Sequence, residues 1–439
     1  MSALIFARGR AYPVVLLAFV LCLTVWSGPV DAVTAASTAP LGSQKDRAST
    51  KESAKAQMIA AGRYLVEAGD CRACHTRPGG QPFAGGLGIK TTFGTVFTPN
   101  ITPDRDTGIG KWSDDDFYRA MHRGHSPTGK PYYPVFPYTF FTKVTRQDVL
   151  AIKAFLFSQK PVHYERPRDR MAWPYNYRVL LDIWQGLFFR AGKFHPYPMR
   201  SPAYNRGAYL VQGLGHCGAC HTPRNPLGAT EPGLALTGAH ISGWYAPDIS
   251  SDAHSTIRGM SVSDIVTFLK TGASKPEEPG YGPETAALGP MAEVVHKSLS
   301  HLSDKDLAAI AIYLKERPAP REIERRITAP TASNLSEGAK IYEANCSACH
   351  GRHGDGTPPY FPALKGNGLV DVANPSDVVD TVLHGAPQAP DQRYSPYATM
   401  PAFGGQLTDK EVAAVTTYIR SQWGNKAPPV NPAYVKAHR

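Results

Sequence analysis

The sequence predicts a mainly α protein made of three tandem helical units with long Gly/Pro-rich loops. Three observations carry that expectation. One five-residue pattern occurs three times, as Cys71-Arg-Ala-Cys74-His75, Cys217-Gly-Ala-Cys220-His221 and Cys346-Ser-Ala-Cys349-His350. Each copy is followed at a distance by an N-capped segment with apolar residues at helical spacing. The 439 residues also include 40 glycines and 39 prolines, enough to separate the helices by extended loops.

Cys-x-x-Cys-His is the attachment signature of a c-type haem. The two thiols bond to the porphyrin edge and the histidine becomes the proximal iron ligand. Cysteines three apart fall on roughly one face of a helical turn, so both reach the same ring edge. Other readings of Cys-x-x-Cys are weaker. A thioredoxin-like redox pair needs a βαβ context, and none surrounds these copies. A structural disulfide gives no reason for a histidine to follow each time, and half a zinc site is a third option that three copies disfavour. Of seven cysteines, six lie in the three motifs. The seventh, Cys22, falls in a leader.

Residues 1–37 read as a signal peptide. Arg8 and Arg10 precede an uncharged, mostly apolar run from Tyr12 to Trp26, and Gly28-Pro29-Val30-Asp31-Ala32 follows as a breaker and cleavage region. A retained anchor is the second reading, because the run is only slightly shorter than the roughly 20 residues of a membrane span. Lipidation is disfavoured by the bulky Leu21 before Cys22. Residues 38–57 are polar and read as a flexible lead-in.

Beyond this the repeat is larger than the motif. The units open with Gly62-Arg-Tyr64-Leu65-Val66, Gly207-Ala-Tyr209-Leu210-Val211 and Gly338-Ala-Lys340-Ile341-Tyr342. They close with helices starting at Thr145, Ser303 and Thr408, where Asp148, Asp306 and Glu411 stand three residues on, a capping-box-like start. A middle helix recurs at Ser113-Asp-Asp-Asp and Ser263-Asp-Ile-Val, more faintly at Ser376-Asp-Val-Val. The expected units are 58–165, 201–320 and 330–425. Between the first two, at 166–200, the apolar stretch Val179–Phe189 reads as a helix packed between units, with a membrane surface as the other option. Residues 426–439 are Pro-rich and basic and read as a loose tail.

A unit of roughly 100 residues buries only a modest core unaided, and a haem would supply apolar mass. This architecture resembles the class I cytochrome c domain, so the resemblance implies three tandem class I cytochrome c domains and three covalently bound haems c. In that class a methionine before the last helix is the sixth ligand and raises the potential. Met400 precedes the Thr408 helix and Met291 precedes the Ser303 helix. The first unit departs: Phe136 of Tyr133-Pro-Val-Phe-Pro-Tyr138 stands where a methionine is expected. Met121, His122 or His125 could replace it, or the iron could stay five-coordinate. The bland reading packs Met121 in the core and leaves both histidines solvated.

The stretches Asn100-Ile-Thr-Pro-Asp104, Gly108-Ile-Gly, Arg206-Gly-Ala-Tyr-Leu-Val, Gly215-His-Cys-Gly-Ala-Cys-His-Thr-Pro-Arg-Asn225 and Gly289-Pro-Met-Ala-Glu-Val-Val295 resemble a known family. It is the triple-haem cytochrome c subunit of periplasmic membrane-bound dehydrogenases acting on alcohols, gluconate or sorbitol. The likeness is specific over Gly62–Pro318 and generic beyond. It implies electron transfer from a catalytic dehydrogenase subunit (flavin, quinoprotein or molybdenum) to ubiquinone or a terminal acceptor. It also implies a periplasmic location with peripheral association at the outer face of the inner membrane. The alternative is a haem enzyme using an open first haem.

No Ser-His-Asp set, nucleotide-binding glycine loop or carboxylate pair suggests a substrate site in this chain, so no catalytic residue is assigned. The net charge of +11 suits an acidic partner or anionic headgroups. No basic helix or RNA-binding signature accompanies it, so nucleic acid is not an expected partner. The recurrent Pro99-Asn100-Ile101-Thr102 and Pro247-Asp248-Ile249-Ser250 read either as haem-edge loops or as plain Asx turns.

Overall fold

The computed structural model describes residues 44–241, 243–251, 255–273, 287–318, 330–357, 360–386 and 399–439, with side chains from 52 onward. The stretch expected to be a leader, with Cys22, lies outside the described residues. Residues 1–51 form one unit, described only as the helical stretch from Gln44, and residues 52–439 form a second.

The chain is largely helical, as its patterning predicts. Helix α1 spans Gln44–Ala68 and runs to the short α2, Cys71–His75. Residues 44–57 are therefore helical rather than a flexible lead-in. Their Ala, Lys, Gln and Glu content favours helix without help from a core. A β-hairpin follows, β1 (Gly88–Thr91) with β2 (Gly94–Phe97), joined later by β3 (Arg170–Met171). Helices α3 (Asp114–Arg123), α4 (Tyr138–Phe141) and α5 (Arg146–Phe157) complete the first repeat. Helix α6 is Val179–Phe188.

The second repeat runs through α7 (Pro202–Tyr209), which continues as π-helix over Leu210–Leu214, to α8 (Gly218–His221). The hairpin β4 (Ala239–Ile241) with β5 (Trp244–Ala246) comes next. Then come α9 (Val262–Thr271), α10 (Gly289–Lys297) and α11 (Asp304–Glu316). The cap of α9 is Ser261, in a complete box with Asp264, two residues before the Ser263 start that the sequence suggests. The third repeat has α12 (Ala332–Asn345), α13 (Ser347–His350), α14 (Ser376–His384) and α15 (Asp409–Ser421), followed by α16 (Pro432–His438).

One helix crossing is built three times. A Cβ placed on Gly62 would lie 1.9 Å from the Ala151 carbonyl oxygen and 2.9 Å from Phe155 Cβ. The same is true of Gly207 against Ala309 (1.9 Å) and Tyr313 (2.8 Å), and of Gly338 against Ala414 (2.3 Å) and Tyr418 (2.6 Å). Only glycine lets the opening helix of each repeat touch the backbone of its closing helix, beneath an aromatic residue of that helix. The first two repeats share one continuous core, which includes Val66, Leu156, Tyr204, Leu214 and Leu307. The third has its own, around Tyr342, Val379, Val412 and Val415.

The first two repeats are also exchanged through their helix caps. In α15 the box closes internally, with Thr408 N donating to Glu411 Oε2 at 2.8 Å. In α5 and α11 it does not. Ser303 N donates to Tyr64 Oη (3.2 Å), and Tyr64 Oη donates to Asp306 Oδ2 (2.6 Å). Reciprocally, Thr145 N donates to Tyr209 Oη (3.0 Å), which donates to Asp148. Each repeat therefore caps the other's closing helix with a tyrosine. The third repeat has Lys340 at that position and keeps its own box.

Two further expectations change. The tail after 425 is packed: Val430 and Val435 are buried, and Val430 N donates to Thr417 Oγ1 (2.9 Å). The fully buried Arg420 holds it from below through the carbonyls of Pro428 (3.3 Å), Val370 (3.1 Å) and Val372 (2.9 Å). Burial lowers the Arg420 guanidinium to about 10. Helix α6 buries only Leu181 and Gln185. It is fastened at Trp184 Nε1, which donates to Leu227 O (2.9 Å), and at Phe189, whose ring meets Tyr138 at 5.1 Å. It thus touches both of the first two repeats, but its other edge is exposed rather than packed. Among the described residues no helix is long and apolar enough to cross a membrane.

Candidate haem-binding sites

Each Cys-x-x-Cys-His motif sits on a single helical turn: α2, α8 with Cys217 as its helical N-cap, and α13 with Cys346 in that place. None of the six motif cysteines is in a disulfide. Desolvation pushes the Cys71 and Cys217 thiols up to about 12 and Cys346 to about 11. Among the described residues no three His, Cys, Asp or Glu side chains gather as a zinc site would require.

The histidines share one arrangement that sequence reading misses. His75 Nδ1 donates to the carbonyl of Pro99 at 2.8 Å, His221 Nδ1 to Pro247 at 2.7 Å and His350 Nδ1 to Pro362 at 3.0 Å. Tying Nδ1–H to a carbonyl fixes the tautomer and presents Nε2 as the electron-pair donor. Desolvation holds all three imidazoles below their ordinary value, which favours the neutral form that a ligand needs.

The proline carbonyls are placed by the recurrent loops. Asn100 Oδ1 accepts from Thr102 N (2.9 Å) and Thr102 Oγ1 (2.8 Å), and Asp248 Oδ1 accepts from Ser250 N (2.8 Å) and Ser250 Oγ (2.7 Å). These are Asx turns, and the same turns aim the preceding proline carbonyl at the histidine. The backbone closes from the other side too, with Gly85 N on His75 O (2.7 Å), Gly238 N on His221 O (2.9 Å) and Gly356 N on His350 O (2.9 Å). Gly85 has φ +74°, and a Cβ there would meet the Pro99 carbonyl at 2.4 Å.

The predicted sixth ligands are placed unequally. Met291 lies at the start of α10, partly buried against the core that also receives Cys71 and Cys217. Met400 is partly buried on the third repeat's core, with Met400 O accepting from Ala386 N at 3.1 Å. Phe136 and Met291 end the same kind of turn: Phe136 N donates to Tyr133 O (3.0 Å) and Met291 N to Leu288 O (3.1 Å). The Phe136 ring packs on Tyr132, Tyr138 and Phe141. Met121 is buried in the core beside Phe117, which matches its bland reading. His122 corrects that reading: it is buried, stacked on Tyr118 at 4.9 Å, with Nδ1 3.4 Å from Thr142 Oγ1. His125 is partly exposed, with Nδ1 2.9 Å from Arg123 O.

The first two motifs are neighbours. His216, just before Cys217, meets the Phe141 ring at 5.5 Å, and a Cβ on Gly69, two residues before Cys71, would lie 3.0 Å from Leu214, three residues before Cys217. The third motif packs through Cys346 on a separate core, and the third repeat meets the β4–β5 hairpin. That junction is made by Tyr245 N donating to Asp377 Oδ1 (2.7 Å) and by Asn374 Nδ2 against His240 Nε2 (2.6 Å).

Two thiols on one turn and a tautomer-locked imidazole form a donor set that fits covalent haem. Comparison with known proteins agrees. The cytochrome c family matches residues 335–423. The chain is 38% identical over 408 residues to the gluconate 2-dehydrogenase cytochrome c subunit of Pantoea cypripedii, covering 88% of this chain and 90% of that protein. The chain belongs to the dehydrogenase cytochrome c subunits. It is likewise 36% identical over 393 residues to the cytochrome c subunit of a quinone alcohol dehydrogenase of Gluconacetobacter polyoxogenes, covering 85% and 82%. It is 40% identical over 381 residues to a nicotinate dehydrogenase component of Pseudomonas putida, spanning 85% of this chain but 31% of that longer protein. Within this cytochrome subunit family, the matched stretch 335–423 contains the third motif and Met400.

Proposed function

We propose that the chain is a triple-haem c electron-transfer subunit, organised as three tandem cytochrome c domains, that serves a separate catalytic dehydrogenase subunit. The observation that carries this reading is the threefold His–proline carbonyl bond beside three Cys-x-x-Cys turns. Covalent haem supplies one-electron redox chemistry at each site. The chain's own part is to fix each group and tune it. Cys71 and Cys74, Cys217 and Cys220, and Cys346 and Cys349 would anchor the rings. His75, His221 and His350 would ligate the irons, and Met291 and Met400 would be further ligands in the second and third repeats.

The partner is a flavin, quinoprotein or molybdenum dehydrogenase, and the acceptor ubiquinone or a terminal acceptor. The relatives' names support a dehydrogenase partner, and the leader supports a periplasmic site at the outer face of the inner membrane. Anaerobic mixing of the purified chain with its dehydrogenase and substrate tests the reading. Reduction of the haem bands at a rate that follows dehydrogenase concentration is expected, and bands that stay oxidised would reject it.

A further inference from the structure

We propose that α6 and the chain flanking it form a surface that lies in the headgroup region of an anionic lipid bilayer. This rests on placing the chain at a membrane face. Ten of the fourteen exposed large hydrophobic side chains among the described residues fall between Trp173 and Met199. Surface hydrophobics are ordinarily scattered, and a contiguous group marks an interaction site.

The arrangement is ordered by chemistry. Val179, Ile183 and Leu187, spaced i, i+4, i+8, make one edge of α6 and are 62, 57 and 65% exposed, while Leu181 and Gln185 on the opposite edge are buried. The aliphatic edge is flanked on the chain by polar-tipped aromatics, Trp173 and Tyr177 before it and Tyr197 after it, which are 78, 55 and 40% exposed. Aliphatic residues at the centre with Trp and Tyr at the margins is the sequence of depths that a bilayer interface rewards.

Charge points the same way. From 171 to 200 the only acidic residue is Asp182, while Arg178, Arg190, Lys193 and Arg200 are basic. Arg178 is engaged inward with Asp169 (3.0 Å) and Pro131 O (2.8 Å), and Arg200 faces Glu316 (3.8 Å), while Arg190 and Lys193 lie on exposed chain just past the helix. A short helix buried to one side in acyl chains, with cations beside it, binds anionic headgroups by adding apolar burial to electrostatic attraction. A docking face for a protein partner would also be apolar, but the cations on exposed chain next to this edge favour lipid.

The test uses the haem-loaded full chain and vesicles of phosphatidylethanolamine with phosphatidylglycerol, or of phosphatidylcholine alone. Sedimentation with the anionic vesicles, weakened by salt, is expected. The double variant Ile183→Ser/Leu187→Ser should lower partition by roughly tenfold or more, with its haem spectrum unchanged. A second readout locates the contact and needs no variant: hydrogen exchange of a peptide spanning 172–190 should slow on anionic vesicles. Unchanged binding by the double variant together with unchanged exchange would overturn the proposal. So would normal vesicle binding by a variant that no longer assembles with the dehydrogenase, which would make this a protein-docking face. Vesicle binding without reduction by the dehydrogenase would instead reject the electron-transfer reading and leave this one standing.

Discussion

Tyr64 of the first repeat donates to Asp306 of the second at 2.6 Å, and the same aspartate takes a two-pronged bond from Arg206, at 2.8 Å through Nε and 2.7 Å through Nη2. Burial alone would raise the Asp306 carboxyl, but the bonds from Arg206 and Tyr64 outweigh it and leave the group below its ordinary value. With its reciprocal, Tyr209 to Asp148, this contact makes the first two repeats one body.

The cluster has a pH signature. A carboxyl whose folded value is depressed stabilises the fold above its unfolded value of 3.8, and that contribution disappears as pH falls through the lower folded value. Asp306→Asn should therefore cost about 1–3 kcal/mol at neutral pH and progressively less below pH about 4. Urea unfolding followed at the haem bands, at pH 7 and in acid, measures both. Tyr64→Phe should cost less, about 1 kcal/mol.

The helix crossings make a sharper prediction. Gly207→Ala places a methyl 1.9 Å from a carbonyl oxygen, so α7 and α11 must separate, at a cost of about 1–3 kcal/mol or more. Gly338→Ala should behave likewise for the third repeat. Gly192→Ala, with open space around it, should leave the urea midpoint unmoved.

The axial assignments predict potentials. Met291→Ala and Met400→Ala should each lower one haem potential and leave the others in place, because a thioether ligand raises the potential. Phe136→Met should raise one. Spectroelectrochemical titration of the three variants reads this directly. If Met291→Ala shifted no potential, Met291 would be a core residue only.

Much of this was visible in the residues. Three Cys-x-x-Cys-His motifs, three recurrent opening segments and three capped helices were enough to place a repeated helix pair beside each motif, because these depend on local spacing. What remained hidden depends on partners far along the chain. A tyrosine at 64 and 209 against Lys340 in the third repeat was the available sign that two repeats exchange caps, yet nothing local says that the acceptor is Asp306, 242 residues away. Pro99 and Pro247 recur ahead of an Asx turn, but their role at His75 and His221 needs the loop's path. The tail looks loose in sequence because its anchor, Arg420, lies in a helix that reads as amphipathic.

The central claim is that three separate sites in this chain each hold a covalent haem. Intact-mass measurement of the purified chain with a pyridine haemochrome assay counts them directly. The account predicts three haems per chain, falling to two when Cys71 and Cys74, Cys217 and Cys220, or Cys346 and Cys349 are replaced by alanine as a pair. A count of one or two in the unaltered chain, or a cysteine pair whose loss removes no haem, would contradict it.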